Sequence, residues 1–353
     1  MSVNYENYRD LTKAVQSMTP LSLFLTKTFF SKAMVSYTGN IVVAKNTAAG
    51  QGVAKFALAD AVPQNVSALG EDAKIFSLPV TKEQMIFSIN EFQNLKTVGN
   101  TIDGAGSDRL SAFNEYVLRN QKILRERTER RFEMLAASIL ETGKFEVTED
   151  GVKHSLDFGF VDGTHYTALS GANLWSADTA NPFQQLYGWV KDVQRKGGAT
   201  VSHIIMGSSA AEYFLNQKLV KEKLNLLNYQ VGTATPFAGG ADIATGGWLI
   251  GRLPNGIPIY EYSQQYVDAP GDTKEMFDPK KVMVISAQGQ YQKVKGSIYR
   301  FKQDAIEVDT PMIEYYARIK TNEERTVGKF MLDWSAVPAL LNPDTIKVVQ
   351  VLT

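Results

Sequence analysis

The strongest periodic signal in the chain lies between Asp108 and Thr142, where Leu110, Phe113, Val117 and Leu124, then Leu135 and Ile139, recur at multiples close to 3.6 residues. The spacing predicts one long helix over 108–142, closed by Gly143, a residue free to take the left-handed conformation that ends helices. The middle of this helix is highly charged. Arg125, Glu126, Glu129, Arg130 and Arg131 place Arg125–Glu129 and Glu126–Arg130 pairs at four-residue spacing, each stabilising a helix by about 0.2–0.5 kcal/mol. A solvated helix face accounts for this cluster, with a DNA-facing or subunit-facing patch as the alternative.

Ahead of the helix, Thr19-Pro20-Leu21 reads as a helix start, with Thr as N-cap and Pro at the first helical position. The apolar Leu21, Leu23, Phe24, Leu25, Phe29 and Phe30 that follow precede any obvious domain. They must therefore be buried by something distant in sequence or by another subunit, and an interaction arm is one answer. From Met34 to Phe92 the texture is that of a long hairpin: β-prone runs at Ile41-Val42-Val43, Val53 to Leu58 and Ile75 to Ile89 alternate with loops such as Thr47-Ala48-Ala49-Gly50. Few bulky residues lie between 44 and 74, so these strands alone bury too little surface to offset their ordering entropy. A neighbouring subunit is expected to cover them. The candidate contact residues on arm and hairpin are Phe24, Phe29, Phe30, Ile41, Val43 and Phe56.

Beyond the long helix, a β-rich stretch from Phe145 to Phe160 leads to Ser170-Gly171-Ala172-Asn173, where a domain boundary is expected. An α/β texture follows. Asn181-Pro182-Phe183-Gln184 caps a helix that closes at Gly197-Gly198, and the strand Val201 to Met206 feeds a second helix through a capping box at Ser209-Ala210-Ala211-Glu212, continued in register from Asn216 to Leu227. Strands at Trp248-Leu249-Ile250 and Ile257 to Tyr260 flank a Pro254-Asn255-Gly256 turn, and Lys281 to Ile285 reads as a core strand. From about Lys295 the chain is mostly extended, alternating over Glu314 to Lys320 and ending in a strand through Ile346 to Leu352.

Composition removes whole classes of function. With 353 residues, 44% of them hydrophobic and 21% charged, the chain can build two or three compact units. Lys plus Arg equals Asp plus Glu at 37 each, so no global field draws it to nucleic acid or anionic lipid, and any DNA contact must be local. The absence of cysteine excludes disulfides, thiolate metal sites and cysteine nucleophiles. No signal pattern opens the chain and no run approaches the roughly 18 apolar residues of a membrane span, so neither export nor a membrane is expected.

The three histidines, His154, His165 and His203, lack metal-site spacing, and His203 reads as an ordinary hydrogen-bonded strand-end residue. Gly50-Gln51-Gly52-Val53-Ala54-Lys55 and Gly328-Lys329-Phe330 lack the features of a phosphate loop, and there is no Gly-x-Ser-x-Gly elbow. Glu149-Asp150 and Glu323-Glu324 read as solvated loops. No catalytic residue, cofactor or metal is expected. A soluble α/β enzyme built around 171–294 remains a rival without any convergent acid, base or nucleophile to support it.

The order of parts, an arm, a long β-excursion, a long helix, an inserted α/β unit and a β-rich return, resembles the Hong Kong 97-like capsid fold of tailed phages, an α+β class. More specifically the chain resembles the lambda-like family known as phage major capsid protein E over most of its length. The resemblance rests on Thr19-Pro20-Leu21 running to Phe29-Phe30, on Phe214 followed by Val220-Lys221-Glu222-Lys223-Leu224, and on Ser335-Ala336-Val337-Pro338 through Pro343-Asp344. It implies an N-terminal arm over 1–33, an extended β-hairpin loop over 34–92, a peripheral domain over 93–170 with the spine helix 108–142, an inserted axial domain over 171–294, and a second peripheral part over 295–353.

The implied function is that of a major capsid protein, self-assembling into pentamers and hexamers of an icosahedral head that encloses double-stranded DNA, with no enzymatic activity. About 30 residues precede the extended loop, too few for a built-in scaffolding segment, so a separate scaffolding protein is implied. A trimeric decoration protein, a portal and nonspecific contact with packaged DNA are the other implied partners, with assembly in the host bacterial cytoplasm and residence in the virion. An encapsulin-type cellular shell is the alternative within the same fold.

Overall fold

The computed structural model describes residues 7–44, 73–88, 90, 106–149, 152–220, 246–267, 271–301, 311–322 and 326–353. Two helices open it. Asn7 caps α1 (Tyr8–Ser17) by accepting from the Arg9 amide at 3.0 Å, and Leu11 and Val15, one turn apart, bury its inner face. The short α2 (Phe24–Thr28) begins four residues after the Pro20 expected to start it. Thr19 and Pro20 lie outside both helices instead, and the Leu21 and Leu25 amides donate to carboxylates of the long helix, at 2.6 and 2.7 Å.

That long helix, α3 (Gly106–Thr142), ends at Gly143 as its period predicts. Gly143 has φ +69°, and a Cβ there would fall 2.2 Å from the Phe160 ring, so backbone and space both demand glycine. The Asn181 side chain accepts from the Gln184 amide to start α4 (Pro182–Gly197), and left-handed Gly198 stops it. The helix α5 (Ser208–Asn216) departs from expectation. It starts with Ser208, whose hydroxyl donates to Glu275, so the Ser209–Glu212 pair lies too deep in the helix to cap it. At Gln217 the backbone leaves helical geometry, with ψ 132°, and the side-chain Nε2 donates to the carbonyls of Trp175 and Ala177. Residues 218–220 are helical again, as the register expects, and its remainder to Leu227 lies outside the described residues.

Six strands form the largest sheet, in the order Tyr166–Ala168, Ile346–Gln350, Lys281–Ile285, His203–Met206, Pro258–Tyr262, Gly247–Arg252. Its two faces bury alternate residues. Ile204, Val282, Val284 and Val349 meet α4 and α5 through Phe183, Leu186, Val190 and Phe214, while Ile205, Met283, Ile285 and Val348 join the core around α3. This sheet crosses the boundaries expected at 170/171 and 294/295. Strands from both flanks complete the sheet of the inserted unit, and the strand Tyr291–Ile298 runs straight through the second boundary.

Around α3 the body is strand-rich. Tyr315–Thr321, Val327–Trp334 and Thr81–Ser88 form one antiparallel sheet, with Phe87 stacked on Phe330 at 4.2 Å. Ala33–Ser36 runs parallel to Tyr291–Ile298, which also pairs with Ala336–Leu340 and Met312–Ile313. Thus 34–36 and Thr81–Ser88, within the range expected for the extended loop, pair into these sheets. Of the described strands in the range 34–92, Asn40–Ala44 and Ala73–Ser77 form a separate two-stranded ladder, Asn40 opposite Ser77 and Ala44 opposite Ala73.

Glu314 ties these sheets together. It is nearly buried, holds the Lys293 and Lys295 ammonium groups at 2.6 and 2.7 Å, and has φ +69°. Burial works to raise its pKa, but the two lysines outweigh burial and hold the carboxyl below its ordinary 4.5. A depressed carboxyl stabilises the fold above its unfolded pKa and loses that contribution as pH falls through the folded value. Glu314→Gln is thus expected to cost roughly 1–3 kcal/mol at neutral pH. In urea unfolding the gap from the unsubstituted chain should shrink below about pH 4; a gap that does not change with pH would contradict this assignment.

Candidate assembly surface

One stripe of α3 carries Gln121, Arg125, Glu129 and Glu133 at four-residue intervals, and all four are buried. The stripe grips the N-terminal segment by its backbone. Arg125 Nη1 donates to the carbonyls of Val15 and Met18, both at 2.6 Å, and its Nε donates to Glu129 Oε1 at 2.8 Å. Glu129 Oε2 accepts from the Leu21 amide. Glu133 Oε1 accepts from the Leu25 amide and, at 3.0 Å, from the Tyr262 hydroxyl, while Oε2 accepts from the Thr26 amide at 2.8 Å and the Thr26 hydroxyl at 2.5 Å. Glu133 therefore joins three parts: the N-terminal segment, the long helix and the six-stranded sheet.

This geometry corrects the reading of the helix charges as a solvated face. Arg125 and Glu129 are an internal ion pair, buried because their hydrogen-bonding capacity is spent on the N-terminal backbone. The Glu126–Arg130 pair, 3.4 Å apart, does lie at the surface, and Arg131 lines a cleft together with Arg127 and Arg130. Glu133 was not among the residues singled out from sequence. Its signal is the four-residue recurrence beside the apolar stripe.

The aromatic residues of the expected arm are also corrected. Phe24, Phe29 and Phe30 are at most 5% exposed within a single chain. Phe24 packs on Tyr260 and Tyr262, Phe29 on His203 and Tyr291, and Phe30 on Phe132 and Tyr291. They are covered by residues distant in sequence, so no ring is left for a neighbour. Ile41 and Val43 sit in the ladder strand Asn40–Ala44, opposite Phe76 and Lys74. Phe56 lies outside the described residues.

Exposed aromatic surface occurs elsewhere. Tyr37 is 61% exposed, Tyr299 47% and Phe301 69%, near half-exposed Met34. The parallel pairing of Ala33–Ser36 with Tyr291–Ile298 brings Tyr37 and Tyr299 to the same end of the two strands, where the Tyr299 hydroxyl donates to the Tyr37 carbonyl at 2.6 Å, and Phe301 follows two residues on. That end lies at the root of the two-stranded ladder, since Tyr37 precedes Asn40 by one turn.

The histidines have structural partners. His165 accepts from the Val161 amide at Nδ1 and meets Asp344 through Nε2, both at 2.9 Å. His203 sits at its strand end, as expected, with Ser202 at 2.8 Å. Among the described residues no three His, Asp or Glu side chains gather as a metal site requires, and no helix is long and apolar enough to cross a membrane.

A long helix packed in a strand-rich body, beside an α/β unit whose sheet recruits strands from both flanks, is a mixed α/β architecture of the class found in phage capsid proteins. The chain superposes on a protein described as a prophage capsid protein of Escherichia coli CFT073, with TM-score 0.65 over 99% of both chains at 15% identity. It superposes on a phage-related protein from Bordetella bronchiseptica with TM-score 0.53, over 96% of this chain and 95% of that one at 9% identity. The mature capsid of bacteriophage PhiM1 aligns over 95% of this chain and 88% of that one at 12% identity, with TM-score 0.47. No curated protein sequence matches the chain. Residues 7–351 match the phage major capsid protein E family, and the chain belongs to it. It is a virion component that builds a shell from many copies, which points to a structural and not an enzymatic role.

Proposed function

We propose that the chain forms the pentamers and hexamers of an icosahedral tailed-phage head that encloses double-stranded DNA, with a Hong Kong 97-like division of labour. In this reading the ladder of Asn40–Ala44 and Ala73–Ser77 is the stem of an extended loop, and Ile41 and Val43 on it meet a neighbour. The body around α3 is peripheral. The unit over 171–294, completed by Tyr166–Ala168 and Ile346–Gln350, is axial. A separate scaffolding protein, a trimeric decoration protein, a portal and nonspecific DNA contact on the inner face complete the proposal, with assembly in the host cytoplasm.

The observation that carries it is the exposure of three aromatic residues, the hydrogen-bonded Tyr37 and Tyr299 and the nearby-in-sequence Phe301, at the root of the ladder. A chain that buries Phe24, Phe29 and Phe30 nonetheless leaves these three in water, and aromatic anchors of this kind dominate interfaces. The test is electron microscopy of the chain expressed with and without its scaffold, beside the variant Tyr37→Ser/Tyr299→Ser/Phe301→Ser. The variant should lose closed shells while its unassembled subunit unfolds within about 1 kcal/mol of the original. Normal shells from the triple variant would refute the contact, and a chain that stays monomeric in all conditions would refute the shell.

A further inference from the structure

We propose that Asn255 is a site of spontaneous covalent change, where the side-chain amide is lost as ammonia and the residue becomes aspartate or isoaspartate. The site is the tip of the hairpin that joins Gly247–Arg252 to Pro258–Tyr262. Both ends of the tip are pinned. Leu253 and Ile257, 2% and 8% exposed, bury their side chains in the core beside α4 and α5, and the Leu253 amide donates to the Ile257 carbonyl at 2.8 Å. Pro254, Asn255 and Gly256 between them are exposed.

The reaction requires the backbone nitrogen of the following residue to reach the asparagine Cγ, and a side chain on that residue obstructs the approach. Gly256 has none. Apart from its chain neighbours, no atom lies within 4 Å of where a Cβ on Gly256 would stand. Asn255 Oδ1 accepts from the Ile257 amide at 3.5 Å, an Asx turn that holds Cγ beside the Gly256 nitrogen and draws electron density from the carbonyl to be attacked. One contact opposes the step. The Gly256 N–H donates to the Leu253 carbonyl at 2.8 Å and must be released first, which the exposure of the tip allows. No other asparagine in the sequence is followed by glycine.

A planar amide nitrogen is a poor nucleophile until it loses its proton. Hydroxide removes the Gly256 amide proton, the freed electron pair forms a bond to Asn255 Cγ, and the Cγ–Nδ2 bond breaks, the nitrogen leaving as ammonia with a proton from water. Water then opens the cyclic imide. Cleavage at Cγ gives aspartate, while cleavage at the main-chain carbonyl leaves the chain running through Cγ as isoaspartate. Water is the one reactant consumed. Either product sets a carboxylate close to Arg252, whose Nη1 already reaches the Gly256 carbonyl at 3.3 Å. Isoaspartate also adds a backbone carbon to a turn whose ends are fixed. The change is independent of how copies of the chain assemble.

The test is peptide mapping by mass spectrometry of the purified full-length chain, kept folded in water labelled with heavy oxygen at mildly acidic and mildly alkaline pH. The peptide holding Asn255 should exchange its amide for labelled oxygen, faster in alkali, and part of the product should accept a methyl group from a protein isoaspartyl methyltransferase. Asn173 and Asn322 are also exposed but precede Leu174 and Glu323, and they should react about tenfold more slowly or less, a modest difference in barrier. Asn255→Gln, which would have to close a larger ring, should suppress the change while melting like the unsubstituted chain. An unaltered Asn255 in the folded chain, reaction that begins only after unfolding in urea, or equal rates at Asn173 or Asn322 would each overturn the proposal.

Discussion

Glu133→Ala is expected to destabilise the unassembled subunit by about 3–5 kcal/mol, the range for removing one side of a buried, fully hydrogen-bonded charged group. The substitution strands the Leu25 and Thr26 amides and the Thr26 and Tyr262 hydroxyls in one step, where little water can reach them. Glu133→Gln keeps the shape but turns an amide donor toward other donors, and should cost about half as much. Burial pushes the Glu133 carboxyl above its ordinary 4.5, against the downward pull of Thr26, Leu25 and Tyr262. A carboxyl with a raised folded pKa binds its proton more tightly when folded, so its contribution declines as pH rises from the unfolded value through the folded one. This is the opposite sense to Glu314, and Glu133→Gln should abolish it. Urea unfolding across pH measures the energies, and hydrogen exchange at the Leu25 and Thr26 amides measures the latch. Unchanged protection of those amides in Glu133→Ala would show that the carboxylate does not hold the segment.

Phe30→Ala is expected to cost about 3–5 kcal/mol, the range for deleting a fully buried ring. The cost should be seen in unassembled subunits, because the ring packs on Phe132 of α3 and on Tyr291 of the adjoining sheet. The contrast with Tyr37, Tyr299 and Phe301 is the decisive part. Those substitutions should spare the subunit and harm the shell, whereas Phe30→Ala should harm the subunit first. If Phe30→Ala left the unfolding midpoint unchanged while abolishing shells, the ring would be an interface residue after all.

The burial of the arm aromatics within their own chain is not legible in the sequence, for a physical reason. Burial by one's own distant residues and burial by a neighbour both require the same apolar side chains, so Phe24, Phe29 and Phe30 look identical in either case. What decides is a set of side chain to backbone bonds from Glu129 and Glu133 to residues 107 or 108 positions earlier, and no local pattern encodes those. The same holds for the helix charges, which amphipathic periodicity assigns to water by default.

Local signals fared better. Gly143, the Asn181 cap with Gly198, and the Pro254-Asn255-Gly256 turn lie where their stereochemistry demands. Helix α1 leaves a weak sequence signal because Leu11 and Val15 are the apolar residues on its buried face. The exposed aromatics Tyr37, Tyr299 and Phe301 leave none, because no period marks a residue near a strand end. Strand existence was largely legible, while strand partnership was not: the final strand pairs with Tyr166–Ala168 and Lys281–Ile285, an arrangement that only the full three-dimensional fold defines.

That final strand has a consequence for the order of events in the cell. Ile346–Gln350 lies inside the six-stranded sheet, not at its edge, and its Val348 and Val349 feed the cores on the two faces. During synthesis the sheet stays split, with Tyr166–Ala168 separated from Lys281–Ile285, until these residues leave the ribosome. A nascent chain that has not yet made these residues therefore lacks the strand that joins the two parts of this sheet.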